Sequence, residues 1–421
     1  MDKWIPPALL AYIVIAILFP WILLITAFVL LVWLFFLYYF YTTAPTPYLS
    51  VDNKGIRVNW FTAGRFLKTE LVYQIEDKSE PAKTLFPSDF IHNEATGPFY
   101  LYSEKITDFV PGAKYSYKIV ETKDNGKRRT LFGGNDYYFI GPYLGDGWDS
   151  NCIKNKFRVG VFGDMQPRTL NPPLFQWQII RALKKYNPDL ILYLGDHTMF
   201  GINAFQWRWL YHILGPISKN TPILGVVGNH DLKTAPEDKD KPEKRGYFYR
   251  TYVNYPENKA YYSVTINNIQ VLAFDFGQPI EAGSPEYNYM VEKIQENTPN
   301  QELVCMWHVS PYTTMLPSEK VQNMRDLIIP KIEQKGGRLW FGGHEHAYQH
   351  FLVNDIHYIT SAATSSFHKH WQTEDYMEKL VMKMHFVIAD FCFDDEYKGD
   401  IQIRAISKRN QLIDQFTIEK K

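Results

Sequence analysis

No charged residue occurs between Lys3 and Asp52, and cysteine is scarce, with only Cys152, Cys305 and Cys392 in 421 residues. So few and so widely spaced thiols exclude a disulfide framework. Cys305 and Cys392 sit in the apolar runs LVCMWH and IADFCF and read as inert core thiols. An excess of either charge is missing too: Lys and Arg number 45, as do Asp and Glu. The overall balance therefore gives no general attraction to nucleic acid or anionic lipid. Asn-x-Ser/Thr is absent throughout, so glycosylation is silent on the compartment. The 46% apolar content excludes a wholly disordered chain.

The uncharged stretch is almost continuously apolar from Ala8 to Phe40, longer than the ~20 residues that cross a bilayer. A cleaved signal peptide would have a shorter apolar region and a small-residue cleavage site. Residues 8–41 are therefore expected to contact the bilayer. Trp33, Tyr38, Tyr39 and Tyr41 cluster near the far end as an interfacial aromatic belt would. Pro20 divides the run, and two topologies follow. One long or kinked span, the favoured reading, puts the rest of the chain on the extracytoplasmic side; a tight helical hairpin returns it to the cytoplasm. Lys3, Lys54 and Arg57 barely discriminate between them.

After a polar linker, TTAPTP, the chain changes character. IRVNWFT, ELVYQIED, PFYLYSEKIT, KYSYKIVET and DYYFIG read as strands separated by Gly, Pro and Asp turns, so 47–145 is expected to be an all-β unit. From Phe157 apolar strands alternate with amphipathic helices: FRVGVFG, then FQWQIIRALKKY, then DLILYLG. Phe175, Ile179, Leu183 and Tyr186 fall on one helical face. Further strands are expected at PILGVVG, YYSVTI, VLAFDF, LVCMWH, RLWFG and IHYIT, with helices near Glu286 to Glu296 and Glu319 to Lys335, and FVIADFCF, IQIRAIS and IDQFTI closing an α/β domain. The division expected is 1–46 anchor and linker, 47–145 all-β domain and 146–421 catalytic domain.

Five short motifs fall at the carboxyl ends of these strands, where open α/β sheets place ligands: Gly163-Asp164-Met165-Gln166, Gly195-Asp196-His197, Gly228-Asn229-His230-Asp231, Trp307-His308 and Gly343-His344-Glu345-His346. Each alone is weak, since a Gly-Asp after a strand is more often a turn. Their order carries the weight, because carboxylates, an amide and histidines in series are the oxygen and imidazole donors that a pair of neighbouring cations needs, with one carboxylate shared. The glycines allow close backbone approach at sharp turns.

With LVCMWHVSPY and MRDLIIPKIEQKGGRLWFGGHEHAYQH, these motifs make the sequence resemble the metallophosphoesterase (calcineurin-like) superfamily, and within it most of all the purple acid phosphatases. ITDFVPGAKYSYKIV is similar to that family's amino-terminal fibronectin-like segment. The resemblance implies a four-layer αββα metallophosphoesterase sandwich, preceded here by a small all-β fibronectin-like domain and an N-terminal transmembrane segment. It also implies a two-metal phosphoesterase holding Fe, Mn or Zn, which hydrolyses phosphate esters by attack of metal-bound hydroxide on phosphorus. By position, Asp164 and His346 would bind the first ion, Asp196 would bridge, and Asn229, His308 and His344 would bind the second.

Two departures from the family stand out. Met199 replaces the metal-binding tyrosine, and His350 an arginine that ends the last motif. Gln166 occupies a histidine place of the wider superfamily and reads either as a ligand of the first ion through its amide oxygen or as a supporting residue. His230, oriented by Asp231, is expected to contact the phosphoryl group or protonate the leaving oxygen, against the plainer reading that it packs while Asp231 caps a loop. His197 either faces substrate or is structural. His368 and His370 read as rim or surface, the mixed-charge run from Glu237 to Arg245 as a solvated loop, and Phe205 to His212 as helix core. The competing function is a membrane-tethered binding or scaffold module with a degenerate fold.

Overall fold

The computed structural model describes residues 12, 14, 19–64, 68–77, 79–145, 156–166, 174–238, 240–241, 244–253, 256, 259–362, 375–393 and 399–420. Cys152, His368 and His370 lie outside them. The chain forms two units, Met1–Ala44 and Pro45–Lys421.

In the first unit a helix runs over Pro20–Thr42, with proline in its first turn where no amide hydrogen is missed. Trp21, Leu24, Phe28 and Phe35 are exposed on it, and Thr26 and Thr42 hydrogen-bond back to the carbonyls of Ile22 and Tyr38. The Tyr12 hydroxyl donates to Thr26 Oγ1 at 2.7 Å. In one continuous helix those residues would stand about 21 Å apart. That contact does not fit one straight helix through both residues and weighs toward the hairpin of the two topologies expected. Among the described residues, no helix is long and apolar enough to cross a membrane.

Two large sheets build the second unit. Strands Lys156–Phe162, Leu190–Tyr193 and Ile223–Gly225 run parallel in a nine-stranded sheet, and Ile269–Ala273, Glu302–Val309, Leu339–Gly343 and Ile356–Ser361 run parallel in a seven-stranded one. These strands read as apolar runs because both their faces are covered. Helices Leu174–Lys184 and Ala204–Ser218 pack Ile179, Leu183, Leu210 and Leu214 on the first sheet; Pro285–Glu296 and Glu319–Leu327 pack Met290, Ile294, Val321 and Met324 on the second. The sheets meet through contacts such as Ser361 Oγ donating to the Val161 carbonyl, giving an α/β sandwich. The helix expected from Glu319 to Lys335 is broken, and Ile329–Gln334 starts afresh with Pro330 in its first turn because proline lacks the amide needed in a helix interior.

The strands between residues 47 and 145 form as expected but do not make a self-contained domain. Tyr48–Asp52, Gly55–Thr62 and Tyr100–Ile106 extend the nine-stranded catalytic sheet, with Ser50 in parallel register beside Ile223. Only Lys68–Ile75, Lys83–Leu85, Lys114–Thr122, Arg128–Phe132 and Tyr138–Ile140 form the separate five-stranded sheet. The strands of the expected all-β unit thus divide between two sheets, since an open sheet edge is satisfied by whichever strands reach it.

Candidate metal centre

Asp164, Asp196 and His344 lie just beyond strands ending at Phe162, Tyr193 and Gly343, and all three adopt left-handed backbone, with φ of 58°, 53° and 68°. Such turns swing the side chains across the strand ends. Glycine is required beside them: a Cβ on Gly228 would lie 2.2 Å from Asp196 Oδ1 and from its amide nitrogen. The backbone of the Asn229 loop thereby closes directly over Asp196.

Two donor groups meet at Asp196. On one side Asp164, Asp196 and His346, all buried, bring one ligand atom each within 4.8 Å of one another, with His346 Nε2 3.2 Å from Asp164 Oδ1. On the other, Asn229 Oδ1 lies 3.0 Å from His308 Nε2 and 2.9 Å from His344 Nδ1. Asp196 faces both: Oδ1 lies 3.3 Å from His308 Nε2, and Oδ2 lies 3.3 Å from Gln166 Nε2. His308 donates from Nδ1 to the Leu194 carbonyl, so its Nε2 presents a lone pair to the site.

The electrostatics favour a cation. Burial, and next the Asp196 charge, hold the Asp164 carboxyl well above the usual range. Asp196 is pushed up to about 7 by burial and then by the Asp231 charge. Burial pushes His308 down to about 4, leaving it neutral and able to ligate. Two buried carboxyl groups beside the neutral His308 imidazole lack positive charge. Gln166 adds an orphan: its amide nitrogen faces Asp196 and His346, while Oε1 is buried without a partner. Turned over, that oxygen is the donor a cation would satisfy, so the residues present fit a metal.

His197 and His230 are arranged differently from expectation. Asp231 orients His197, not His230: its Oδ2 lies 2.9 Å from His197 Nδ1. His197 is buried and stacks on Tyr193 and Trp207, at centroid distances of 4.0 and 5.4 Å, which gives it a structural place under the site. His230 stands at the mouth, with Nδ1 2.9 Å from the Met199 carbonyl and Nε2 3.9 Å from Asp196 Oδ2. Met199 thus supplies its backbone where the family has a phenolate. His350 hydrogen-bonds His357 at 2.8 Å and stacks on Phe416, remote from any arginine role. Sequence reasoning missed Phe276, whose ring meets those of His308 and His344, and Lys233, 2.6 Å from His230 Nδ1. Neither carries a motif that would mark it.

The profile of the calcineurin-like phosphoesterase family matches residues 157–348, a segment that contains all seven expected metal ligands. The chain carries a calcineurin-like phosphoesterase domain. Its fold is similar to that of the purple acid phosphatase PPD1 from yellow lupin (Lupinus luteus) seeds, with TM-score 0.75 and 14% identity over 89% of this chain and 74% of that one. PhoD is similar at TM-score 0.62 and 9% identity, covering 88% of each chain. At such identities these likenesses establish fold alone. No curated protein matches the sequence significantly. In this phosphoesterase domain the nine-stranded sheet supplies Asp164, Asp196 and Asn229, the seven-stranded sheet His308, His344 and His346, and the centre lies where the two meet.

Proposed function

We propose that the chain is a two-metal phosphohydrolase acting on phosphate esters. The observation that carries this reading is Asp196, whose two oxygens face separate donor groups 3.3 Å away. Asp164 and His346 would hold one cation, with Gln166 through its turned amide, and Asn229, His308 and His344 the other. Iron, manganese and zinc all suit such oxygen and imidazole donors. When bound, such ions make a nucleophile available at neutral pH and neutralise charge on the phosphoryl oxygens. The chain's own residues do the rest. The His308 bond to Leu194 fixes its ligating nitrogen, and His230, held through Met199, presents Nε2 at the mouth for a hydrogen bond to the phosphoryl group or the leaving oxygen. Metals removed and restored one at a time, with an aryl phosphate panel, test the reading. Turnover that returns with a metal and is abolished by Asp196→Asn supports it; inactivity toward every phosphorus substrate would leave the scaffold alternative.

We further propose that the apolar amino-terminal unit inserts into a bilayer as a hairpin. The 23-residue helix is about 34 Å long, its two threonine hydroxyls are satisfied internally, and the Tyr12–Thr26 contact supports a reversal. A hairpin keeps both chain ends on one face, which withdraws the argument for an extracytoplasmic domain. Tags at either terminus, probed with protease in sealed vesicles, give equal protection for a hairpin and opposite protection for one span.

A further inference from the structure

Lys233 follows the Asn229-His230-Asp231 motif on the same turn, its backbone amide bonding to the His230 carbonyl. Its side chain is exposed, and its ammonium lies 2.6 Å from His230 Nδ1 and 5.8 Å from the centroid of the exposed Phe200 ring. Two groups therefore compete for one nitrogen. The Met199 carbonyl, 2.9 Å away, only accepts, and so requires a proton on Nδ1; the ammonium only donates, and so requires Nδ1 bare. The carbonyl belongs to backbone that the Gln206 side chain holds at Met199 and Phe200. The lysine sits on a flexible four-carbon arm and is the partner that can move. Partial burial lowers its pKa, while the Asp196 charge opposes that fall.

We infer that Lys233 is a specificity-determining residue that selects substrates whose leaving group carries its own negative charge. The inference rests on the phosphohydrolase reading and concerns the same site. Hydrolysis forms a bond from phosphorus to a water oxygen and breaks the bond to the leaving oxygen, which keeps the electron pair. That oxygen departs past His230 Nε2, so an anionic substituent a few ångströms beyond it meets Lys233. A neutral leaving group gives the ammonium nothing to bind beyond the developing charge. At a partly exposed mouth such an ion pair is worth on the order of a two- to fivefold preference.

The test uses the full chain in detergent, restored with metal, and compares kcat/KM for 3-carboxyphenyl phosphate and phenyl phosphate, which differ in leaving-group charge at nearly the same shape. Wild type should prefer the carboxylated substrate about two- to fivefold, mainly through KM, and the preference should shrink with added salt. Lys233→Gln should bring the ratio near one, Lys233→Arg should keep it and Lys233→Glu should invert it. A wild-type ratio near one, or an unchanged ratio in Lys233→Gln, overturns the role of Lys233 while leaving the phosphohydrolase intact. Absence of turnover with both substrates and all metals overturns the underlying reading, and this one with it.

Discussion

Asp231 and His197 form the buried clasp beneath the metal centre. One carboxylate oxygen takes His197 Nδ1 at 2.9 Å and the Gly228 amide at 3.0 Å; the other takes the amides of His197 and Thr198 at 2.9 and 3.2 Å. A single side chain thereby ties the loop that follows Asp196 to the loop that leads into Asn229, so both donor groups depend on it.

Asp231→Ala should therefore act on stability first, because it strands buried amides and an imidazole without an acceptor. A loss of about 3 kcal/mol is expected, read from denaturant unfolding, with Asp231→Asn milder because its amide oxygen still accepts. Unchanged unfolding midpoints in Asp231→Ala would show that the loops hold each other by other means.

His230→Gln should separate from that pattern. His230 hydrogen-bonds Asp196 through its backbone amide, which the substitution keeps. Metal content and thermal midpoint should match wild type, while kcat falls by about 10²-fold or more. Equal activity in the variant would remove His230 from the chemistry.

Acidity should stabilise the metal-free protein through Asp196. A carboxyl whose folded pKa is raised to about 7 holds its proton in the native state when the unfolded chain has released it. Its contribution is therefore present below the ordinary carboxylate pKa and is lost as pH rises toward about 7. Metal binding needs the ionised form, so added metal should raise the melting midpoint more at pH 7.5 than at pH 5.5. The difference between wild type and Asp196→Asn isolates this component; parallel pH profiles for the two metal-free proteins would refute it.

Gly228→Ala tests the close approach of the Asn229 loop. The added methyl would fall 2.2 Å from the amide nitrogen and Oδ1 of Asp196, both held by surrounding backbone, so something must shift. A cost of about 1–3 kcal/mol is expected, together with weaker metal retention in dialysis. Wild-type retention would mean that the loop has slack.

Much of the fold was legible because its signals are local. Apolar runs such as DLILYLG and RLWFG became buried parallel strands, and the motifs after them fell at strand ends because a parallel α/β sheet puts every such turn on one side. Three features were not legible. Strand content in 47–145 was clear, yet pairing was not, since nothing local in YLSVD says that its partner is Ile223–Gly225. The proximity of Asp231 to His230 in sequence suggested a pair, but consecutive residues point apart and the carboxylate met His197 instead. The Tyr12–Thr26 contact was not legible either, because no polar turn signal flanks Pro20.

The order of residue types alone determined that carboxylates, an amide and histidines would lie at strand ends in a phosphoesterase domain. Their chemistry as donors is intrinsic and their spacing follows from strand and turn lengths. Only the tertiary structure decided that the two oxygens of Asp196 face different donor groups, that Asp231 serves His197 and that Lys233 reaches His230. Those relationships span up to 112 residues between Asp196 and His308, and they are set by the packing of two sheets, which no local pattern encodes.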